Sequence, residues 1–183
     1  MVTIETIHPS SVKPKRRRMP IRAATKSADK LHLDRFVPYR LSVLSNIVSV
    51  SIAQAYEREF GLTIPEWRVL AVLARYPNLS AIEVAERTAM DKVAVSRAVQ
   101  SLLAARRLVR TYDKGDRRRS MLRLSASGRA VYTRVAPLAL SYERKLLNAL
   151  SASDRRALDR LIARLMERAR ALDHLDGKTH DRP

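Results

Sequence analysis

The sequence predicts a mainly α-helical fold that contains one small β-hairpin. Apolar residues return at steps of three and four over most of the chain, which is the period of amphipathic helices. Serine, threonine or aspartate stands just before several of these stretches, as expected for residues that cap helix N-termini. Two short apolar and β-branched runs, residues 108–113 and 120–124, are separated by KGDRRR and predict the hairpin.

The first thirty residues show no apolar periodicity. They contain three prolines and the basic run KPKRRR, a composition that is typical of disordered segments. We therefore predict a disordered basic arm over residues 1–30.

A long helix is predicted over residues 34–59, where apolar residues occupy nearly all sides. Such a helix is buried on more than one side. In a chain of this size, we expect a second subunit to cover part of that surface. One seam of the helix is formed by Val37, Leu41, Leu44, Val48 and Ala55.

The next helix is predicted to begin after Thr63 and to run through Tyr76. Thr63 and Glu66 have the spacing of a capping box, and Pro65 suits the first helical turn. The residues expected to face the core are Trp67, Leu70, Val72 and Leu73.

Two further helices joined by a tight turn are predicted next. Ser80 and Glu83 have capping-box spacing, which indicates a short helix. A turn is expected over residues 88–90, and Asp91 is a favourable N-cap for the second helix. The first helix should bury Ile82, Val84 and Ala85. The second should bury Val95, Val99, Leu102 and Leu103 and expose Lys92, Val93, Ser96, Arg97 and Gln100.

This pair of helices, with the hairpin after it, predicts binding to double-stranded DNA. A helix-turn-helix places its second helix in the major groove, with the N-terminal residues at base edges. Arg97 is the best candidate for a guanine or phosphate contact, and a cationic hairpin can follow the adjacent minor groove. The predicted DNA-binding residues are Ser80, Lys92, Val93, Ala94, Ser96, Arg97, Gln100, Lys114, Arg117, Arg118 and Arg119.

The stretch resembles the winged helix-turn-helix of the multiple antibiotic resistance regulator (MarR) family. The matching segments are LTIPEWRVLAVL, VAVSRAVQSLLAARRLV and DKGDRRRSMLRLSASG, in the family's order and spacing. The resemblance implies a winged helix-turn-helix flanked by N- and C-terminal dimerisation helices. It also implies that Asp116 pairs with Arg118 to hold the wing tip in shape, which leaves Arg117 or Arg119 free to enter the minor groove.

One position departs from the family pattern. Family members usually have a left-handed glycine just before the leucine and valine that open the wing, and this chain has Arg107 there. A non-glycine residue in that conformation would cost about 1 kcal/mol unless the helix ends differently.

Two helices are predicted after the hairpin. Ser125 caps the first, and Ser151 with Asp154 opens the second. Their apolar residues are Val131, Val135, Leu138, Tyr142 and Leu146 in the first, and Leu158, Leu161, Ile162, Leu165, Ala169 and Leu172 in the second.

We therefore expect one domain over residues 31–175, followed by a frayed C-terminus over residues 176–183. Within it, residues 34–59 and 125–172 should form a dimerisation layer, and residues 63–124 the DNA-binding part. A two-fold dimer would present two recognition helices about 34 Å apart and read a pseudo-palindrome.

Composition limits the classes of function. The chain has 36 Lys and Arg against 18 Asp and Glu, a net charge of +18 that indicates a polyanionic partner. The basic arm fits an extra clamp on DNA and a solubilising tail equally well. The chain has no cysteine, and its four histidines show no metal-ligand spacing, so no thiol chemistry, metal or other cofactor is expected. The chain also has no apolar run long enough for a membrane span and no signal-peptide core, which predicts a cytoplasmic protein.

The predicted function is a homodimeric transcriptional regulator, in particular a repressor that leaves its operator when a small molecule binds. An enzyme is not expected, because the sequence shows no nucleophile constellation, paired-carboxylate site or phosphate-binding glycine loop. A sequence-indifferent architectural nucleic-acid binder, without an effector, is the alternative that the charge also allows.

The effector class rests on the resemblance and on the charge, because the surplus arginines suit the phosphates of CoA. The segment VPYRLSVLSNIVSVSIAQAYEREFGLTIPEWRVLAVL resembles members that control catabolism of aromatic acids, which implies an aromatic acid or an aromatic acyl-CoA thioester. In that family a pocket lies between the first two helices and the helix after the wing. Trp67 also fits a core role, and Arg40 also fits an ion pair with Glu66 or a solvent-facing position. The candidate lining residues are Tyr39, Arg40, Ser42, Asn46, Trp67 and Arg68.

Overall fold

The computed structural model describes residues 31–112 and 120–177, with side chains described up to residue 172. The predicted basic arm, the tip of the wing over residues 113–119 and the last six residues lie outside the described residues. The elements within the described ranges are α1 (Val37–Phe60), α2 (Ile64–Arg75), α3 (Ala81–Thr88), α4 (Lys92–Ala104), β1 (Leu108–Tyr112), β2 (Ser120–Leu124), α5 (Ala126–Leu147) and α6 (Ala152–Gly177).

These elements confirm the predicted fold class, which is mainly helical with one two-stranded antiparallel hairpin. The chain separates within α1 into a first unit that ends at Arg40 and a second unit from Leu41 onward. The second unit contains the rest of α1, the hairpin and all of the later helices.

The predicted caps set the helix starts. Thr63 and Ser80 each form a complete capping box, in which the side chain accepts from the third helical N–H and a glutamate binds the cap N–H. Asp91 caps α4 through the N–H of Ala94, at 2.8 Å. Ser125 caps α5 through the N–H of Gly128, at 3.0 Å. Because these short local patterns satisfy N–H groups that the helix leaves unpaired, they fix the helix starts from the sequence.

The core lies where α2, α3 and α4 meet the hairpin and the middle of α5. Val84 and Ala85 are buried as predicted, but Ile82 is 59% exposed, so its predicted burial is wrong. Ile82 lies in the first turn of an eight-residue helix that can bury only one narrow face. Two predicted core residues of α2, Trp67 and Val72, are half-buried rather than buried. The fully buried side chains are Tyr56, Leu62, Val69, Leu70, Leu73, Val84, Val95, Val99, Leu102, Leu122 and Val135.

The hairpin is anchored to the helical core at its base. Leu108 pairs with Leu124 and Tyr112 with Ser120, so Leu108, Leu122 and Leu124 place their side chains in the core. Leu79, in the segment before α3, adds a single antiparallel bridge to Leu122. This base holds β1 and β2 against the helix-turn-helix.

The exit from α4 differs from the expectation about Arg107. The left-handed residue is Arg106, with φ of 54°, and not Arg107. The N–H of Arg106 donates to the carbonyl of Leu103 at 3.0 Å, and the N–H of Arg107 donates to that of Leu102 at 2.8 Å. This is a Schellman motif, which normally places glycine at the left-handed position. The non-glycine residue in the left-handed conformation is therefore one residue earlier in the chain than expected.

Replacing Arg106 with glycine should raise the free energy of unfolding by about 0.5–1 kcal/mol, because glycine adopts positive φ without a Cβ penalty. Urea denaturation of the wild type and of Arg106→Gly measures the difference. The matched control is Arg110→Gly in β1, where φ is not positive and the same change should destabilise the chain. A destabilised Arg106→Gly variant would contradict this description of the α4 exit.

The start of α5 is packed directly on the same exit. A Cβ built on Gly128 would lie 2.0 Å from the carbonyl oxygen of Arg107, so only glycine fits there. The N–H of Ser125 donates to that carbonyl at 3.0 Å, and the Ser125 hydroxyl donates to the carbonyl of Arg106 at 2.7 Å. Backbone contacts thus join the end of the recognition helix to the start of α5.

The surfaces of α1, α5 and α6 remain apolar and uncovered. They enclose an open groove of about 570 Å³, which is lined mainly by leucine and isoleucine side chains. On α6, Leu161 is 56% exposed and Ile162 45% exposed, and the predicted stripe faces solvent. On α1, Ala53 and Tyr56 face the core, whereas Ala55 of the predicted seam is exposed. Patches of this kind mark interaction surfaces.

Candidate DNA-binding surface

The N-terminal half of α4 presents the predicted polar face. Val95, Ala98 and Val99 anchor the opposite side of the helix in the core. Ala94 is half-buried at the edge of the exposed face, and Val93 is 59% exposed. The exposed residues are Lys92, Val93, Ser96, Arg97 and Gln100. This face combines cationic donors, donor–acceptor groups and an exposed apolar group, which is the mixture that base edges and thymine methyl groups require.

Ser80 lies at the N-terminus of α3, beside this helix. Its hydroxyl oxygen accepts from the N–H of Glu83 at 3.3 Å, and its own N–H donates to the Glu83 carboxylate at 2.7 Å. The hydroxyl proton can still donate to an outside acceptor. A helix N-terminus favours anions through its free N–H groups, so Ser80 suits a phosphate contact.

The predicted wing residues Lys114, Asp116, Arg117, Arg118 and Arg119 lie outside the described residues. The strands below them carry two exposed arginines that were not among the predicted site residues. Arg110 pairs across the hairpin with Leu122, and Arg123 pairs with Val109. Alternation along a strand places the two arginines on opposite faces of the hairpin. Their positive charge, in strands that flank the basic segment KGDRRR, was the signal in the sequence that could have identified them.

A buried carboxylate holds α4 against α2. Glu66 is only 7% exposed, and it accepts from the N–H and the hydroxyl of Thr63 at 2.7 and 2.8 Å. Burial opposes ionisation of this carboxyl, but hydrogen bonds from Ser101 and Thr63 stabilise the charged form. The positive charge of Arg107 adds to them, so the pKa of Glu66 lies below its ordinary value of 4.5. Ser101 is on α4, so this carboxylate ties the recognition helix to α2.

The end of α1 is tied to the same region. The Arg107 guanidinium donates to the carbonyl of Phe60 at 2.5 Å, which satisfies one of the unpaired carbonyls at the C-terminus of α1. Arg134 on α5 forms an ion pair with Glu59 and lies over the Phe60 ring, 4.9 Å from its centroid. The last turn of α1 is therefore linked to the exit from α4 and to α5.

The predicted effector-binding residues do not all converge. Trp67 and Arg68 line a small cavity of about 100 Å³, and Arg68 donates to the hydroxyl of Ser49 at 3.0 Å. Ser42 and Asn46 are exposed on α1 and do not line this cavity. Tyr39 and Arg40 belong to the first unit and are exposed there.

Several residues that the sequence did not indicate complete this cavity. Tyr56 lines it, with its ring 5.7 Å from the Trp67 ring, and outside the lining the Tyr132 ring lies 5.8 Å from Trp67. Burial raises the pKa of Tyr56 to about 12, so its hydroxyl is neutral. The remaining lining residues are Ser49, Ile52 and Ile64. Ser49 and Ile52 follow Asn46 on α1 at helical spacing. The sequence therefore indicated the correct side of α1 but not the position of the cavity along the helix.

The described residues contain no cluster of three or more histidine, cysteine or acidic side chains that could hold a metal ion. Among the described helices, none combines the length and the apolar character that a membrane crossing requires.

The sequence of this chain is similar to those of known transcriptional regulators. A sequence model of the MarR family matches residues 60–119, which contain α2, α3, α4 and β1. The HTH-type transcriptional repressor Rv2887 of Mycobacterium tuberculosis is 28% identical over 105 residues, which are 57% of this chain and 76% of that protein.

Solved structures share the fold, among them the following two. A MarR/EmrR family transcriptional regulator from Acinetobacter sp. ADP1 superimposes with a TM-score of 0.71 and 24% identity, over 77% of this chain and 99% of that one. BpsR of Bordetella bronchiseptica, whose DNA binding is regulated by 6-hydroxynicotinic acid, superimposes with a TM-score of 0.66 and 24% identity. That superposition covers 74% of this chain and 96% of BpsR.

Proposed function

We propose that this chain is a transcriptional regulator of the MarR family, and that it is a homodimeric repressor which a small ligand releases from a pseudo-palindromic operator. One observation carries the DNA-binding part of this proposal. The face of α4 from Lys92 to Gln100 is exposed, polar and cationic, and it lies on a helix whose other side is fixed in the core. Such a helix can enter the major groove without rearrangement.

A second copy of this chain is the occupant that best fits the apolar groove. The groove is formed by the first and the last two helices, and leucines on both sides of it are exposed. Polar residues line it only sparsely, which suits another apolar helix better than DNA. Helix α6 carries such an apolar stripe. In a two-fold dimer, the stripe of each subunit can fill the groove of the other, so both copies bury the same surface.

Dimerisation gives the recognition helices their geometry on DNA. Two copies of α4 related by a two-fold axis can read two half-sites about 34 Å apart, which is one turn of B-DNA. The operator is then a pseudo-palindrome. Because each half-site adds to the binding energy, the dimer discriminates its operator from random DNA far better than one subunit does.

The small cavity beside Trp67 is our candidate for the effector site. It combines aromatic rings with the Arg68 guanidinium, which suits an aromatic ring that bears a carboxylate. Its volume of about 100 Å³ is smaller than typical ligand sites. A ligand would therefore have to part α1 from α2, and α1 is linked to the α4 exit through Phe60 and Arg107.

Release then follows from linkage. Suppose that the ligand binds best when the two recognition helices have a spacing that does not suit DNA. The ligand then lowers the affinity for DNA, and DNA lowers the affinity for the ligand by the same factor. We propose an aromatic acid, or an aromatic acyl-CoA thioester, as this ligand.

The base-reading role of α4 is tested with Arg97→Ala. We expect this variant to lose about 1–3 kcal/mol of preference for its own upstream intergenic DNA over a scrambled duplex, because in this proposal the Arg97 guanidinium binds a base edge. Titration of both duplexes at the same salt concentration measures the preference. Arg58→Ala, an exposed arginine in the last turn of α1, is the control and should keep it. An Arg97→Ala variant with unchanged preference would contradict this role.

The effector site is tested with Arg68→Gln. This variant should bind the intergenic DNA as the wild type does and should lose release by aromatic acids, because the guanidinium that pairs with a carboxylate is gone. Fluorescence anisotropy of labelled DNA, read while the acid is added, measures both properties. Release that persists unchanged in Arg68→Gln would place the effector elsewhere.

A further inference from the structure

Two arginines share one tyrosine ring next to the helix-turn-helix. The Arg87 guanidinium lies 4.2 Å from the centroid of the Tyr76 ring, and the Arg75 guanidinium lies 5.1 Å from the same centroid. Arg75 ends α2, and Arg87 lies in the last turn of α3. No sequence pattern indicated a role for these three residues. We call them the Arg–Tyr–Arg cluster.

Among the residues that the structure describes, no acidic side chain forms an ion pair with the two positive charges of this cluster. Both arginines are exposed, and Tyr76 is 40% exposed. Within residues 31–112 and 120–177, neither guanidinium makes a hydrogen bond or an ion pair. A cation over an aromatic ring gains only about 0.5–1 kcal/mol at an exposed site, and the ring does not neutralise it. Two guanidiniums arranged in this way are therefore prepared to receive an anion.

The cluster lies close in the chain to the wing and to the recognition helix, and this position indicates which kind of anion it binds. Tyr76 is followed by Leu79, which bridges to β2 of the wing, and by Ser80, the N-cap of α3. Arg87 precedes the left-handed turn at Ala89 that leads into α4. The cluster is thus part of the helix-turn-helix unit itself, connected to the wing and to the recognition helix by a few residues each.

We propose that the Arg–Tyr–Arg cluster is a phosphate-binding site that contacts the DNA backbone beside the bases read by α4. This inference rests on the proposed DNA-binding function. Guanidinium groups bind phosphate oxygens through two parallel N–H donors, and the tyrosine ring preorganises both groups for this purpose. Backbone contacts of this kind position a protein on DNA and carry no sequence information of their own.

The test compares the wild type with the double variant Arg75→Gln/Arg87→Gln over a series of salt concentrations, on the intergenic and the scrambled duplex. We expect affinity to fall by the same factor on both duplexes. The slope of log affinity against log salt should become shallower by about 2, that is by about one for each phosphate that the variant no longer neutralises. The preference for the intergenic DNA should stay unchanged.

Two further variants separate the cluster from charge and folding effects. Arg160→Gln/Arg164→Gln removes the same charge from α6 and should leave the salt slope at the wild-type value. Tyr76→Leu keeps both arginines but removes the ring that orders them, so it should weaken binding to both duplexes. Tyr76→Phe keeps the ring and should bind as the wild type does.

The outcomes also separate this inference from the proposed function. A wild type that prefers its intergenic DNA, with Arg75→Gln/Arg87→Gln at the same affinity and salt slope, would overturn the phosphate site and leave the regulator intact. A loss of preference in the double variant would assign the cluster to base reading and overturn the backbone role. A wild type that binds neither duplex would overturn both.

Discussion

Ile162→Glu should convert the protein from a dimer into a monomer and weaken operator binding by at least about a hundredfold. Ile162 lines the apolar groove and is 45% exposed in the single chain, so a second copy is expected to bury it. A carboxylate placed there would be transferred from water into an apolar interface, which costs several kcal/mol. Once the half-sites are no longer read together, the avidity factor of about 10²–10⁴ is lost.

Sedimentation equilibrium measures the oligomeric state, and titration of the intergenic duplex measures the affinity. Arg164→Gln is the matched control, because it changes the net charge by the same amount on another face of α6. The control should remain a dimer that binds the operator. An Ile162→Glu variant that stays dimeric would show that the groove is not the interface between subunits.

Gly128→Ala should have the largest effect on stability, lowering the free energy of unfolding by about 3 kcal/mol. The added Cβ would meet the Arg107 carbonyl at 2.0 Å, so backbone must move on one side or the other. The Arg107 carbonyl also accepts from the N–H of Ser125, and that hydrogen bond would be strained in the same movement. We expect operator affinity to fall as well, because this junction fixes the exit from α4.

Gly61→Ala is the control for this substitution. Gly61 has φ of 59° but open space around the Cβ position, so alanine there should cost only about 1 kcal/mol of backbone strain. Urea denaturation of both variants gives the comparison. Equal losses in the two variants would contradict a packing requirement at Gly128, which lies in a helix and has no positive φ.

Local rules allowed the sequence to predict the elements well. The capping residues Thr63, Ser80, Asp91 and Ser125 each satisfy an N–H of the helix that they precede, so the start of each helix depends on a few neighbouring residues. The hairpin was predictable for the same reason, since β2 spans the expected residues 120–124.

Features that depend on contacts between distant residues were less predictable. Periodicity alone placed Ile82 in the core, but the orientation of α3 against α2 and α4 leaves it exposed. The left-handed residue at the end of α4 was expected at Arg107, where family members have glycine, but it is Arg106. The backbone hydrogen bonds of the Schellman motif determine which residue is left-handed.

The candidate site shows the same division. The exposed face of α4 follows from helical periodicity and was predicted residue by residue. The cavity beside Trp67 depends on where α1 crosses α2, so the sequence identified Trp67 and Arg68 but not Ser49 or Tyr56. The Arg–Tyr–Arg cluster joins the ends of two helices, which no pattern along the chain indicates.

The most direct test of the regulator is a titration of the full-length wild type against its own upstream intergenic DNA and a scrambled duplex of equal length. Both titrations are repeated with aromatic acids and with aromatic acyl-CoA thioesters. We predict a preference of at least about 10³ for the intergenic DNA, relieved by one of these compounds. Equal affinity for the two duplexes, unchanged by every compound, would contradict a sequence-specific, ligand-released repressor and indicate a protein that coats DNA through charge alone.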